Sequence, residues 1–140
     1  TRDFHHKIMG FDKSPSAVEK AIQNVENSKL EDFIYIKHED FFKTQKGGEA
    51  HLHMVFNPPY GERLDIEMET FYGAIGSTLK HKYPGTNAWM ISSNLEALKH
   101  VGLRPSRKIK LFNAKLEARF QKYEMYAGTK KTHKLEVKKD

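Results

Sequence analysis

The sequence predicts an α/β fold built on a parallel sheet, and three observations carry that expectation. Short apolar runs recur at Ile8–Phe11, Phe33–Lys37, Leu52–Phe56 and Ala88–Ser92. Stripes at helical spacing lie between them. The earlier runs stop at a polar or turn-forming group: Asp12, His38-Glu39-Asp40 and Asn57-Pro58-Pro59-Tyr60. Strand–helix alternation requires crossover connections, and crossovers leave neighbouring strands parallel.

Each element has its own signal. Ile8–Phe11 reads as a buried strand ending at Asp12. Ser14 followed by Pro15 is an N-cap with proline at the first helical position, and Val18, Ala21, Ile22 and Val25 continue one apolar stripe to about Lys29. Gly47-Gly48 marks a loop before the Leu52–Phe56 strand. Asp65 opens a long helix with Met68, Phe71, Tyr72, Ile75 and Leu79 on one face, ending near Tyr83-Pro84-Gly85. Ser93 and Glu96 have capping-box spacing, which predicts a short helix from Asn94 to His100, stopping at Gly102.

The end of the chain reads differently. Lys108–Phe112 and Lys115–Tyr126 flank Asn113-Ala114, an antiparallel hairpin in which asparagine would take the positive φ. Leu116, Ala118 and Phe120 share a face, but Tyr123 and Met125 are out of phase with them, so a bulge is expected near Gln121-Lys122. With no repeat or internal boundary, residues 1–128 read as one domain and 129–140 as a polar, lysine-rich tail.

The chain's 140 residues, 38% apolar and 30% charged, fit a single globular domain. No apolar run approaches the roughly 20 residues of a membrane span, and no signal peptide is evident. Cysteine is absent, which excludes disulfides and thiolate metal sites. A cytoplasmic protein without a membrane partner is the expectation. A net charge of +6 favours a polyanionic partner. The first residue is Thr1 rather than methionine, so a fragment or processed product is expected.

Asn57-Pro58-Pro59-Tyr60 is the segment that carries chemistry. Each proline fixes its own φ and pushes the preceding residue into an extended conformation, so Asn57 and Pro58 are both held extended. The segment sits at the carboxyl end of a strand, where open α/β sheets bind ligands. The Asn57 side-chain carbonyl and the Pro58 backbone carbonyl can together accept both hydrogens of a planar amino group, orienting its nitrogen for attack. Tyr60 offers a face on which an unstacked base can rest. The strand-ending acids suit a nucleoside cofactor: Asp12 for two ribose hydroxyls, Asp40 for adenine amino hydrogens, with Phe41 beside the ring.

Other residues carry weaker signals. Arg63 reads as a substrate contact, to an RNA phosphate or a base edge, or as a helix-entry ion pair with Glu62. His51 and His53 share a strand face, but with no third ligand no metal site is expected, and both read as buried or edge histidines. Lys80, His81, Lys82, Arg104, Arg107, Lys108 and Lys110 form a phosphate-facing surface or an ordinary solvated one. Trp89 reads as core.

These residues together resemble a known family. Asn57-Pro58-Pro59-Tyr60-Gly61-Glu62-Arg63-Leu64 is similar to the extended signature of THUMP-associated RNA methyltransferases, a group that includes large-subunit ribosomal RNA guanine-N2 methyltransferases. Gly10–Val18 resembles their ribose-binding segment, and Lys108–Glu117 their terminal hairpin, with Ala114 where glycine is usual and Ala118 where cysteine is common. The resemblance implies a Rossmann-like class I sheet of seven strands, the last antiparallel. It also implies S-adenosylmethionine as methyl donor and structured RNA as substrate. Asn57, Pro58, Pro59 and Tyr60 would then be the catalytic loop, and Asp12, Asp40 and Phe41 the cofactor contacts.

The family's first strand, glycine-rich loop and N-terminal THUMP domain have no counterpart in these 140 residues. The missing strand would lie between the strands ending at Asp12 and Asn57. The remainder of a longer enzyme is therefore an expected partner, and the isolated chain is expected to bind S-adenosylmethionine poorly. Guanine-N2 methylation of ribosomal RNA is the leading expectation. Adenine-N6 methylation of DNA or RNA is the nearest alternative, since the four-residue core serves both amines, and an inactive RNA-binding or assembly module is the alternative outside enzymes.

Overall fold

The computed structural model describes residues 5–48, 50–61 and 66–126. Their elements run β1 (Ile8–Asp12), α1 (Pro15–Asn27), β2 (Ile34–His38), a 3-10 turn (Phe41–Lys43), β3 (Leu52–Phe56), α2 (Ile66–Lys82), β4 (Thr86–Ser92), α3 (Leu95–Leu98), β5 (Arg107–Asn113) and β6 (Leu116–Glu124). They fall into two compact units, Thr1–Thr44 and Gln45–Asp140.

In the first unit, α1 connects two parallel strands paired in register from Ile8↔Ile34 to Asp12↔His38. Ser14 is extended and its Oγ accepts the Ala17 N–H at 3.3 Å, with Pro15 opening the helix as expected. Such a cap stabilises by about 1 kcal/mol. Val18 is buried, Ala21 and Val25 are half-buried, and Ile22 is exposed, so the covered stripe is narrower than the sequence pattern.

The second unit holds four strands in the order β3-β4-β6-β5. β3 and β4 are parallel, whereas β6 runs antiparallel to both β4 and β5. Thr86, Ala88, Met90 and Ser92 of β4 are all buried on one face. Against that face lies α2, which buries Tyr72, Ile75, Gly76 and Leu79 at the i, i+3, i+4, i+7 spacing of one helical stripe. Fully burying a side chain such as Leu79 stabilises by roughly 2 kcal/mol. On the opposite face, half-buried Trp89 stacks on Phe120 with ring centroids 4.6 Å apart.

Three local expectations need correction. No bulge interrupts β6: its pairing with β4 runs unbroken from Asn87↔Glu124 to Ser92↔Arg119, and with β5 from Arg107↔Lys122 to Asn113↔Leu116. The apolar phase changes because β6 is covered on both faces. Ala118 and Phe120 point to the Trp89 side and Gln121, Tyr123 and Met125 to the α2 side, where the buried Gln121 Nε2 donates to the Tyr123 hydroxyl at 2.7 Å. The cap of α3 is Asn94, not Ser93; its Oδ1 accepts the Ala97 N–H, and the helix is only Leu95–Leu98 before a hydrogen-bonded turn. In the hairpin the positive φ belongs to Ala114 (56°), because Asn113 is already paired with Leu116.

The described residues form two sheets rather than one seven-stranded sheet. β1 is paired only with β2, and β3 only with β4, and these are the strands between which a further one is expected. Val55 on β3 is 71% exposed. The polar tail expected at 129–140 lies outside the described residues. Among the described residues no helix is long and apolar enough to cross a membrane.

Two glycines of α2 differ in a way that can be tested. A Cβ at Gly76 would sit 1.6 Å from the Val101 carbonyl oxygen, whereas at Gly73 it would meet the His100 carbonyl at 3.5 Å, an ordinary contact. Alanine gains about 1 kcal/mol of helix propensity at either position. Gly73→Ala should therefore raise the thermal midpoint, and Gly76→Ala should lower it as the helix is forced off Val101; calorimetry of both variants checks the contrast. Burial pushes the Tyr123 phenol up to about 12, with the Gln121 hydrogen bond opposing part of the shift. A raised tyrosine pKa favours the native state below the unfolded value near 10 and loses that contribution as pH climbs through the folded value. Stability should thus decline between pH 10 and about 12, and Tyr123→Phe should flatten that decline in denaturant titrations.

Candidate active site

β3 delivers the chain to Asn57 at its carboxyl end. Asn57 and Pro59 are exposed, Pro58 is buried and Tyr60 half-buried. Gly61 follows at φ 67°, a left-handed conformation in which a Cβ would be strained. This loop is stiff by covalent structure, but covalent stiffness alone does not place it.

Placement comes from a directed chain of hydrogen bonds. The Tyr72 hydroxyl lies 3.0 Å from the Pro59 carbonyl and 2.6 Å from Ser92 Oγ. A carbonyl can only accept, so the phenol donates to Pro59 and must itself accept from the Ser92 hydroxyl. Ser92 Oγ in turn accepts the Asn94 backbone N–H at 3.1 Å. Asn94 also donates from Nδ2 to the Tyr60 carbonyl, while its Oδ1 caps α3. Tyr72 is fully buried, and burial pushes its phenol above the ordinary value although the Ser92 bond pulls the other way, so it remains a donor near neutral pH.

The network leaves a particular remainder. The carbonyls of Pro59 and Tyr60 are tied inward. Neither the Asn57 side-chain oxygen nor the Pro58 carbonyl has a hydrogen-bond partner among the described residues. Among the described residues the loop thus presents two unpaired acceptors, one on an amide side chain and one on a rigid backbone.

In the first unit, Asp12 and Asp40 stand together at the carboxyl end of the parallel pair, since Asp12 is in register with His38 and Asp40 lies just beyond it. Asp12 Oδ1 accepts the Ser14 N–H at 2.8 Å, and Asp40 Oδ1 accepts the Phe42 N–H at 3.0 Å. Each carboxylate keeps its other oxygen without a partner among the described residues. Asp40 and Phe41 are half-buried, and the Phe41 and Phe42 rings meet edge to face at 5.5 Å. These carboxylates fit a ligand bearing a ribose diol and an amino group.

Arg63, Glu62 and Asp65 lie outside the described residues. His51, just before β3, and His53, on that edge strand, are exposed with rings 4.5 Å apart and His51 Nε2 3.3 Å from Asn87 Nδ2. Among the described residues no three His, Asp or Glu side chains converge on a metal position. Sequence reading placed Tyr72 in the core stripe and missed its second task. The polar run Ser92-Ser93-Asn94 after an apolar strand was the available signal for its partners, but no local spacing pairs residue 72 with residues 59 and 92.

Comparison with known proteins agrees with this architecture. Residues 1–122 match the model of the RMKL-like methyltransferase domain family. The chain belongs to that family. It is 30% identical over 123 residues to a ribosomal RNA large subunit methyltransferase K/L of Syntrophotalea carbinolica, covering 84% of this chain and 17% of that protein. Its counterpart in Methylococcus capsulatus is 33% identical over 114 residues, covering 80% of this chain and 15% of the relative. The chain therefore spans about a sixth of the length of these relatives. Among solved structures, the methyltransferase SMU.472 complexed with SAH superposes with a TM-score of 0.75 at 26% identity, over 84% of this chain and 31% of that one. A Listeria monocytogenes protein described as an N6-adenine-specific DNA methylase gives 0.69 at 28% identity, over 84% and 30%. The fold is that of the Rossmann-like methyltransferases, with the antiparallel C-terminal hairpin.

If the hydrogen-bond chain acts as a unit, its members should not be energetically independent. Tyr72→Phe leaves the Pro59 carbonyl without a donor and should cost about 1–2 kcal/mol. Ser92→Ala should cost a similar amount, and the double variant less than the sum. Urea unfolding of the three variants measures this, and strict additivity would show that the bonds are separate.

Proposed function

We propose that this chain is part of an S-adenosylmethionine-dependent methyltransferase that acts on the exocyclic amine of a base in RNA, with guanine N2 of ribosomal RNA as the target. The observation that carries this reading is the pair of unpaired acceptors, Asn57 Oδ1 and the Pro58 carbonyl, on a loop whose other carbonyls are bound inward. Two adjacent acceptors can take the two hydrogens of a planar amino group. By accepting them, Asn57 and Pro58 turn the nitrogen lone pair out of conjugation and toward the donor. Tyr60 provides the surface on which the target base stacks once it has left its own stack.

The free oxygens of Asp12 and Asp40 support a nucleoside-containing methyl donor, Asp12 taking ribose hydroxyls and Asp40 the adenine amine, with Phe41 against the ring. When bound, S-adenosylmethionine supplies an electrophilic methyl group. The chain's contribution is orientation and exclusion of water rather than base strength, because the methylated nitrogen releases its proton readily to solvent. Arg63 would contact an RNA phosphate or the guanine edge. The net charge of +6 and the names of the large-subunit relatives support ribosomal RNA. The rest of a longer protein, an RNA-gripping THUMP domain included, would complete the enzyme.

Adenine N6 is the second reading, favoured by the similarity to the Listeria protein described as an adenine methylase. Incubation of the full-length protein with unmodified ribosomal RNA, followed by nucleoside mass spectrometry, separates the two: N2-methylguanosine is expected, and N6-methyladenosine would replace the first reading with the second. Asn57→Ala should lower kcat by roughly 100-fold or more, the scale seen for loss of one positioned polar group, with RNA affinity retained. Unchanged methylation by that variant would remove the amine-orienting role, and no methylation by the parent protein would leave an RNA-binding module.

A further inference from the structure

A second feature of the Gln45–Asp140 unit has a chemistry that the methyl-transfer site does not use. At the far end of the sheet, a cleft of about 650 Å³ opens between the end of α2, the loop at residues 103–106 and residues 123–126. The size falls within the roughly 300–1,000 Å³ of small-ligand sites. Its walls are pinned by the backbone. Ser106 N–H donates to the Lys122 carbonyl at 2.8 Å, Met125 N–H to Thr86 at 2.9 Å, and Gly85 N–H to Tyr126 at 3.2 Å.

The lining divides into an apolar floor and a cationic rim. Tyr123 and Met125 are buried, and Leu103 and Pro105 are half-buried, while Tyr126, 41% exposed, adds an aromatic residue to the lining. Lys80 and Arg104 are exposed and have no ion-pair partner among the described residues. His81 has its Nδ1 2.9 Å from the Ser77 carbonyl, which leaves Nε2 as the ring's other polar atom. The one acid in the lining among the described residues, Glu124, already has Lys122 Nζ at 3.5 Å. Lys80 and His81 also suit the negative end of α2. Arg104 comes from a separate loop and has no such reason to be there.

We propose that this cleft binds one unstacked nucleotide of the RNA substrate, outside the nucleotide that is methylated. The base lies on Tyr126 and the apolar floor, and Lys80 and Arg104 hold the flanking phosphates. Stacking on an aromatic ring combined with phosphate neutralisation is how proteins hold single-stranded nucleic acid with little base preference. The position makes this contact distinct from the acceptor site. β4 runs from Thr86, beside the cleft, to Ser92, beside the Asn57–Tyr60 loop, and its 7 residues span about 20 Å.

The inference rests on RNA being the substrate, and the experiment separates it from that reading. Using the full-length protein, a fluorescein-labelled transcript of unmodified large-subunit ribosomal RNA is titrated at several salt concentrations, and methylation of the same transcript is followed. The double variant Lys80→Glu, Arg104→Glu should raise both Kd and KM for the transcript about 10-fold, lower the salt slope by about 1.4 for two lost phosphate contacts, and leave kcat within about twofold. Tyr126→Ala should raise Kd without changing the salt slope. Asn57→Ala should do the reverse of both, losing turnover with Kd and slope intact. Unchanged Kd and slope in the double variant, at an unchanged melting temperature, would overturn the cleft proposal whatever the methylation result. Polyglutamate is titrated in parallel, and a double variant that loses binding to it while keeping RNA binding would overturn the proposal in favour of an acidic protein partner. Absence of methylation by the parent protein, with the RNA-binding differences present, would count against the methyltransferase reading and not against the cleft.

Discussion

One phenolic hydrogen organises the end of the larger unit that carries the Asn57–Tyr60 loop. Tyr72 gives it to the Pro59 carbonyl, and everything that fixes Tyr72 therefore fixes the loop: the α2 stripe that buries its ring, the Ser92 hydroxyl that donates to its oxygen, and the Asn94 N–H that orients Ser92. The direction of the chain follows from elementary donor arithmetic, since each hydroxyl has one hydrogen and a proline-bounded carbonyl has none. Three separate elements, α2, β4 and the start of α3, meet on a loop that belongs to β3. The prolines remove local freedom and the hydrogen bonds remove the remaining rigid-body freedom, which is the division of labour that preorganisation requires.

The same geometry explains why the sheet is asymmetric in composition. β4 buries four residues on its α2 face, and the last of them is a serine rather than an aliphatic residue. A valine at Ser92 would pack as well but would leave the Tyr72 oxygen and the Asn94 N–H without their partner, in a place water does not reach. Gln121 does comparable work on the α2 face of β6, where its side chain satisfies the Tyr123 hydroxyl. Ser92 and Gln121 are thus buried polar residues kept by the hydrogen bonds they make.

The positions of nearly all strands and helices were legible because their signals are local: apolar runs, a Ser14-Pro15 start, a 72-75-76-79 stripe. The Asn57–Tyr60 segment stood out because two successive prolines after a strand-end asparagine leave few conformations. What misled were patterns with two physical causes. An apolar phase shift reads equally as a bulge or as a change in which face is covered, and only the covering elements decide. Ser93 and Asn94 are both good caps, and the choice fell to the residue whose amide could also reach Tyr60. Ala114 holds the left-handed turn because register places it there, against its intrinsic preference. The supporting network was not legible at all, since its spacing exists only in three dimensions.

The two prolines have a further consequence for how the loop can be observed. Of the residues Asn57 to Tyr60, only the first and last carry an amide hydrogen, so backbone amide spectroscopy and hydrogen exchange pass over the middle of the loop in near silence. Tyr72 fills that gap. Its ring absorbs in the near ultraviolet, it is wholly enclosed, and its hydroxyl is bonded to the loop itself. Whatever shifts Pro59 changes the environment of one chromophore, and the protein thereby contains its own optical gauge of whether the site is assembled.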